Sequence, residues 1–159
     1  MSVNAEHPAA GADANRALAT RLGFAGLIPL AVLSLWLAGI PVDHVWRDMT
    51  IKLLTTYSAI VLSFLGGARW GAALAGVHPR TVRDMALAVL PPLLAWGVLF
   101  IPPNYAFVLL AVAFAAQGAW DALAGQAGEL PDWFVRLRTQ LTAVAVVAMV
   151  IAFAATANG

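Results

Sequence analysis

The stretch FLGGARWG, residues 64–71, decides the fold of this chain, because it places an arginine inside a long apolar segment. The segment around it, residues 52–75, has the length of a membrane helix, which needs about 20 mostly apolar residues. An arginine at the centre of a bilayer costs roughly 2.5–3.5 kcal/mol on insertion scales. Arg69 therefore calls for a polar partner on another helix.

The composition of the whole chain is that of an integral membrane protein. Of its 159 residues, 62% are hydrophobic and 11% are charged, and the mean hydropathy is +0.83. Soluble domains carry about 25% charged residues. A net charge of +1 gives no reason to expect nucleic acid as a partner. The lack of cysteine excludes disulfides, thiolate metal sites and iron–sulfur clusters.

Apolar segments of membrane-spanning length occur five times, which predicts an all-α bundle of five transmembrane helices. The expected spans are residues 22–40, 52–75, 85–101, 105–124 and 137–157. Residues 1–21 are polar and rich in alanine, so we expect a mostly disordered tail that becomes helical near Asn15, before a membrane domain at 22–159.

Lysine and arginine are distributed unevenly around these spans, and this bias predicts the orientation. Five spans place the N-terminal tail and the second and fourth connections on one side of the membrane. The opposite side carries Arg47 and Lys52. The first side carries six basic residues, Arg16, Arg21, Arg80, Arg83, Arg136 and Arg138. We therefore expect a cytoplasmic N-terminus and an extracytoplasmic C-terminus.

The fourth span offers the best partner for Arg69. It runs in the same direction as the second span, and Asp121 lies at the same expected depth. Gln117 lies one helical turn deeper on the same face and is expected to act as a neutral partner. Guanidinium and carboxylate match as a two-point fork, and either charge alone would be costly in lipid. We predict an Arg69–Asp121 pair, structural if it only fixes helix register and functional if it binds an anion, a lipid headgroup or a proton.

Small residues recur every fourth position along the second span, at Ala59, Ser63, Gly67 and Gly71. Small residues allow membrane helices to approach closely. We expect this row, the small-residue stripe, to pack against another helix of the same chain rather than against a second copy.

Prolines interrupt two spans and free backbone carbonyl groups in the same half of the bilayer. Pro29 interrupts the first span, and Pro91 and Pro92 interrupt the third. The freed carbonyls are further candidate acceptors for Arg69. Trp96 lies near the proline pair, so these four residues are candidates to line a ligand cavity, although core packing is the simpler interpretation.

No catalytic or metal-binding pattern emerges from the spacing. The three histidines fall outside the spans, and no H-E-x-x-H motif occurs. No catalytic triad, phosphate loop or pair of intramembrane carboxylates can be assembled. We therefore expect neither an enzyme nor a bound metal or cofactor.

Several stretches resemble a family of small five-helix membrane proteins of unknown function, the transmembrane protein 69-like family. The resemblance rests on LSFLGGARWG at 62–71, PPLLAWGVL at 91–99 and PDWFVRLR at 131–138. GFAGLIPLA at 23–31 fits the family's first helix. The resemblance implies five helices and a place in the bacterial or mitochondrial inner membrane, and it implies no activity.

Two functions are consistent with these features. The first is a non-enzymatic accessory subunit or assembly factor that packs against a larger inner-membrane complex. The alternative is a carrier or binder of a small amphipathic or anionic ligand, of the lipid, porphyrin or quinone class, near Arg69. A binder requires an intramembrane cavity that reaches Arg69, whereas a subunit requires a filled interior and an exposed helix face. A proton or ion pathway is a weaker third possibility, because a tight Arg69 pair opposes it.

Overall fold

The computed structural model describes residues 7–75 and 81–157, and every regular element in these ranges is a helix. In chain order the helices are α1 (His7–Gly39), α2 (Arg47–Leu74), α3 (Thr81–Ala88), α4 (Leu90–Gly97), a 3-10 turn (Val98–Phe100), α5 (Pro103–Gln126) and α6 (Asp132–Ala157). Five helical segments in the described residues are long and apolar enough to cross a membrane, with the third running from Val82 to Phe100. The all-helical fold expected from the sequence is confirmed.

Helix ends extend beyond the expected spans because polar turns continue the apolar ones. α1 already begins at His7, about two turns before Asn15, where we expected the disordered tail to become helical. This segment is rich in alanine, the residue with the highest helix propensity. Residues 1–6, and Arg80 in the second connection, lie outside the described residues.

The third span is broken rather than continuous. Pro91 and Pro92 have no N–H to donate, so the helical hydrogen bonds to Leu87 and Ala88 are lost. α3 ends at Ala88, and α4 starts at Leu90. The break brings a carbonyl and a proline ring against α2, where a methyl group built on Gly66 would lie 2.7 Å from both the Ala88 oxygen and Pro92 Cδ.

The small-residue stripe is only partly used, which corrects the expectation from the sequence. Ala59 is buried, but Gly67 and Gly71 are exposed, with nothing within 4 Å of an added methyl group. An α-helix turns about 100° per residue, so a row of every fourth residue drifts by about 40° per step. From Ala59 through Ser63 to Gly71 the drift totals about 120°, which carries the glycines off the packed face.

The most extensive helix contact is that of α5 with α6, and glycines of α5 permit a close approach. A methyl group on Gly118 would lie 2.5 Å from Thr142 Cγ2, and one on Gly125 would lie 2.5 Å from a methyl of Val135. Large apolar side chains fill the interior, with Phe107, Phe114, Leu30, Leu62 and Met149 almost fully buried.

One end of the bundle is closed by Arg47, a buried residue whose position in the sequence served only as a marker of orientation. Arg47 Nη2 donates to the carbonyl oxygen of Ala155 at 2.5 Å, and Nη1 donates to that of Ile40 at 3.4 Å. These carbonyls lie at the C-terminal ends of α6 and α1. The last carbonyl groups of a helix have no N–H donor within that helix, so Arg47 supplies one. Arg47 thus ties three helices together at this end, opposite to the end that holds Arg69.

Candidate functional site

Three charged side chains meet at the other end of the bundle, the Arg69 end. Arg69 lies near the C-terminus of α2, Asp121 near the C-terminus of α5, and Arg138 near the N-terminus of α6. Because α5 and α6 run in opposite directions, the end of one and the start of the other share this depth. The three residues are called the charged triad below.

The geometry of the triad places one carboxylate between two guanidinium groups. Arg69 Nη2 donates to Asp121 Oδ1 at 2.5 Å, and Arg138 Nε donates to Oδ2 at 2.6 Å. The three side chains are only 10%, 6% and 13% exposed, in the order Arg69, Asp121, Arg138. Two cations and one anion leave a formal charge of +1 inside an apolar bundle.

An aromatic ring holds Arg69 from a further side. The Arg69 Cζ atom lies 4.0 Å from the centroid of the Trp120 ring, which is cation–π contact distance. Trp120 directly precedes Asp121 on α5, so one segment supplies both contacts. Arg69 is therefore fixed in place, with its Nε buried and without a partner among the described residues.

Gln117 does not take the role expected for it. The side chain is 4% exposed, and neither its amide nitrogen nor its oxygen has a partner in the described part of the chain. Asp121 instead uses its second oxygen for Arg138, and Arg69 is held by Asp121 and Trp120. The expected neutral partner of the pair is thus replaced by a second cation.

Two cavities adjoin the triad and share part of their lining. The first, of about 420 Å³, lies between α1, α2 and α6 and contacts all three triad residues. The second, of about 330 Å³, continues between the same helices toward Tyr57 and Ala145. Their six shared lining residues are Leu22, Gly23, Phe64, Leu65, Arg138 and Leu141. The two together are called the groove below.

The groove is apolar along its length and open at its side. Leu22 and Phe64 line both cavities and are 63% and 71% exposed. Both lie within helices of membrane-spanning character, so the groove opens toward the surrounding lipid. Its polar end is the charged triad, and its far end is near Tyr57, whose hydroxyl donates to the Gly26 carbonyl oxygen at 2.8 Å.

The residues expected to line a ligand cavity lie elsewhere. Trp96 is 65% exposed and packs edge-on against Phe100, with ring centroids 4.8 Å apart. Pro92 packs on α2 at Gly66. Neither Trp96, the proline pair nor Pro29 lines the groove. Trp96 and the proline pair belong to the broken third span, whose helices α3 and α4 contact α2 but neither α1 nor α6. Pro29 is part of α1 but is outside the lining of the groove.

Sequence reasoning missed two residues that shape this site. Arg138 was counted only as a marker of orientation, although it lies six residues inside α6, about 9 Å from its start. This depth resembles that of Arg69 in α2, so it could have indicated that Arg138 joins the Arg69–Asp121 pair. The bond from Tyr57 to Gly26 carries no spacing signal, because its partners are on different helices. In the described part of the chain, no group of three or more His, Asp or Glu is placed to hold a metal ion.

Comparison with known proteins identifies relatives without an assigned function. The family model described as "Protein of unknown function (DUF3429)" matches residues 15–154. The chain is also similar to "Transmembrane protein 69" of Xenopus tropicalis, with 35% identity over 134 residues. That match covers 81% of this chain and 51% of the relative, so the chain spans about half the relative's length. No solved structure matches.

Proposed function

The chain belongs to the DUF3429 family of proteins of unknown function, and from that premise we propose that this multi-pass membrane protein binds an anionic amphiphile between its helices. The observation that carries the proposal is the groove, which joins a lipid-facing opening to a triad of net positive charge. Ligand sites of this kind are mostly apolar, with a few convergent polar groups that fix orientation.

The charge balance of the triad supports an anion as the headgroup. A buried charge without a counterion is costly, and charged groups inside membranes are usually paired. Asp121 neutralises one of its two arginines, so a single negative charge on a ligand would complete the balance.

Arg138 is the residue that would contact the headgroup. Its Nε is used for Asp121, but its two terminal nitrogens donate to nothing among the described residues. Arg138 also lines both cavities of the groove. Arg69 has the different task of holding Asp121, since Trp120 and Asp121 already fix its guanidinium.

The cellular setting of the proposal follows from the basic residues at the Arg69 end. Positive residues favour the cytoplasmic side, so this end would face the cytoplasm of a bacterial cell, in the inner membrane. The headgroup would then lie at the level of the inner leaflet. Membrane lipids and their single-chain relatives are the amphiphiles available there.

A binding titration tests the proposal. The full chain is purified in mild detergent and titrated with a straight-chain fatty acid, and with the alcohol of equal chain length as an uncharged probe. We expect the acid to bind and the alcohol to bind at least about tenfold more weakly, because a charge-assisted hydrogen bond contributes roughly 1.5–3 kcal/mol. Equal binding of acid and alcohol would refute an anion site.

A pair of variants on α6 assigns the binding to the triad. Arg138→Gln removes the guanidinium that faces the groove, and we expect it to abolish the preference for the acid. Arg136→Gln removes an exposed arginine two residues away and is the matched control. If both variants bind the acid as the unmodified chain does, the headgroup is not held by the triad.

A second function, an accessory subunit of a larger membrane complex, is favoured by one separate observation. Gly67 and Gly71 leave part of α2 exposed, with open space where a neighbouring helix could approach. Gly67→Leu and Gly71→Leu should then release a co-purifying membrane protein while leaving fatty-acid binding unchanged. Retention of the same partner by both variants would remove this face as its docking surface.

A further inference from the structure

We infer that the groove takes one alkyl chain with a compact anionic head, and that Tyr57 sets the length of the chain it prefers. The inference rests on the proposed function, because it specifies the ligand of the same site. The ligand is a fatty-acid-like monoanion, and Tyr57 limits the length of its alkyl chain.

The groove has a defined length from its polar end to its far end. Arg69 and Tyr57 both line it and are separated by 12 residues of α2, or about 18 Å at 1.5 Å per residue. Half of a hydrocarbon core of about 30 Å is about 15 Å. The groove therefore spans about one leaflet, which is the reach of an acyl chain from the headgroup level to the bilayer centre.

A hydrogen bond between two helices closes the far end of the groove. The Tyr57 hydroxyl donates to the Gly26 carbonyl oxygen at 2.8 Å and so ties α2 to α1 at this depth. Both residues line the second cavity of the groove, called the lower cavity below. A chain longer than the distance from Arg138 to Tyr57 must bend out of the groove, and it then loses contacts with the wall.

The polar end leaves room only for a small head. Beyond the triad the cavity is bounded by Leu130 and Phe134 from the start of α6, and by Ala19 and Ala72 from α1 and α2. These apolar side chains line the same cavity as the triad and help to enclose it, and the triad residues are 13% exposed at most. A carboxylate fits this geometry better than a glycerophosphate head, whose glycerol and second chain need further space.

The back of the groove is narrow as well. A methyl group on Gly23 would lie 2.9 Å from Leu141 Cδ1, so α1 and α6 are in close contact there. The groove is therefore a slot with one open side, marked by Leu22 and Phe64. Such a slot accommodates one chain lengthwise.

A chain-length competition tests the inference. The full chain, reconstituted in nanodiscs of zwitterionic lipid, is offered equimolar mixtures of straight-chain fatty acids, and the bound fraction is measured by native mass spectrometry. Each fatty acid moves from lipid, which is as apolar as the groove, so a longer alkyl chain adds little hydrophobic free energy of binding. The preference then depends on how well the chain fits the groove. We expect an optimum near the length of the groove and about tenfold weaker binding of clearly longer chains, the usual effect of overpacking.

Two variants that change the end of the groove in opposite directions make the assignment specific. Tyr57→Ala opens the far end, so the optimum should move to longer chains. Val61→Phe fills the lower cavity one turn from Tyr57, so the optimum should move to shorter chains. Tyr57→Phe keeps the ring and is the matched control for loss of the hydrogen bond alone. If Tyr57→Ala does not fold, the shift in Val61→Phe and the optimum of the unmodified chain still decide.

The outcomes separate this inference from the proposed function. Binding of fatty acids that depends on Arg138 but has no length optimum would overturn the inference and leave the proposed function standing. Equal competition by diacyl phosphatidylglycerol would overturn the single-chain claim, and equal competition by an alkyl phosphate would extend the head to any compact anion and support it. Absence of binding by every anionic chain would refute both.

Discussion

At the scale of single residues, Asp121 determines whether two arginines can remain inside the bundle. Each of its oxygens accepts one guanidinium donor, and it is itself almost fully buried. Removing one partner of a buried ionic cluster is far more costly than the cluster is stabilising, because the remaining charges stay uncompensated. The triad therefore depends on Asp121, which neutralises one of the two arginines and leaves one positive charge.

Asp121→Asn should destabilise the protein strongly. The substitution keeps the shape of the side chain but leaves Arg69 and Arg138 as unneutralised neighbours. We expect a loss of about 3 kcal/mol, the lower range for a broken buried pair, measured by thermal or denaturant unfolding in detergent. Asp43→Asn changes an exposed carboxylate in the loop between α1 and α2 and should leave stability unchanged. Equal stability of the two variants would contradict a buried triad.

At the scale of helices, the bundle depends on close approaches that are fixed by a few glycines. Gly66 meets the broken third span, and Gly118 and Gly125 meet α6. Gly118 and Gly125 are seven residues apart on α5 and so lie on one face of the helix, whereas a long row of every fourth residue drifts away from one face. Glycine content alone therefore does not identify the packed face of a membrane helix.

Gly66 and Gly67 form a matched pair for a test of this packing. An added methyl group at Gly66 would lie 2.7 Å from backbone and ring atoms, while one at Gly67 meets nothing within 4 Å. We expect Gly66→Ala to lower the free energy of unfolding by about 1–3 kcal/mol through overpacking. Gly67→Ala should be neutral or slightly stabilising, because alanine favours the helix. Unfolding in detergent distinguishes them, and the reverse order would disprove the described α2–α4 contact.

The sequence predicts the positions of the helices better than it predicts the contacts between them. Apolar length predicts all five spans, and the pair Pro91-Pro92 predicts an interruption, since both remove a backbone donor. The partner of Arg69 could be found from depth alone, because Asp121 is a carboxylate at the same level. Arg138 and the bond from Tyr57 to Gly26 depend on how α1, α2 and α6 are arranged around each other. No local pattern specifies that arrangement.

At the scale of the whole molecule, the two ends of the bundle differ in chemistry. At one end Arg47 is buried and bonded to backbone carbonyls, which closes that end. At the other end the terminal nitrogens of Arg138 have no acceptor among the described residues, and they lie beside an apolar groove that opens to lipid. This asymmetry suits a protein that admits an amphiphile from one leaflet, and in the proposed orientation that leaflet is the cytoplasmic one.

Reporter fusions test the orientation that this view requires. We expect a C-terminal alkaline phosphatase fusion to be active and a C-terminal green fluorescent protein fusion to be dark, because the proposed orientation places the C-terminus outside the cytoplasm. An N-terminal fluorescent fusion should be bright. The opposite pattern at the C-terminus would place the triad in the outer leaflet and contradict the proposed setting.

The most direct test of the central claim is the identity of what the protein carries in its own membrane. The tagged chain, Arg138→Gln and Arg136→Gln are purified from native membranes in mild detergent, and co-eluting small molecules are quantified by mass spectrometry. We expect a single-chain anionic amphiphile at near-stoichiometric amount with the unmodified chain and with Arg136→Gln, and its loss with Arg138→Gln. An equal amphiphile content in all three preparations, or none in any, would contradict the claim that the charged triad holds an anionic head.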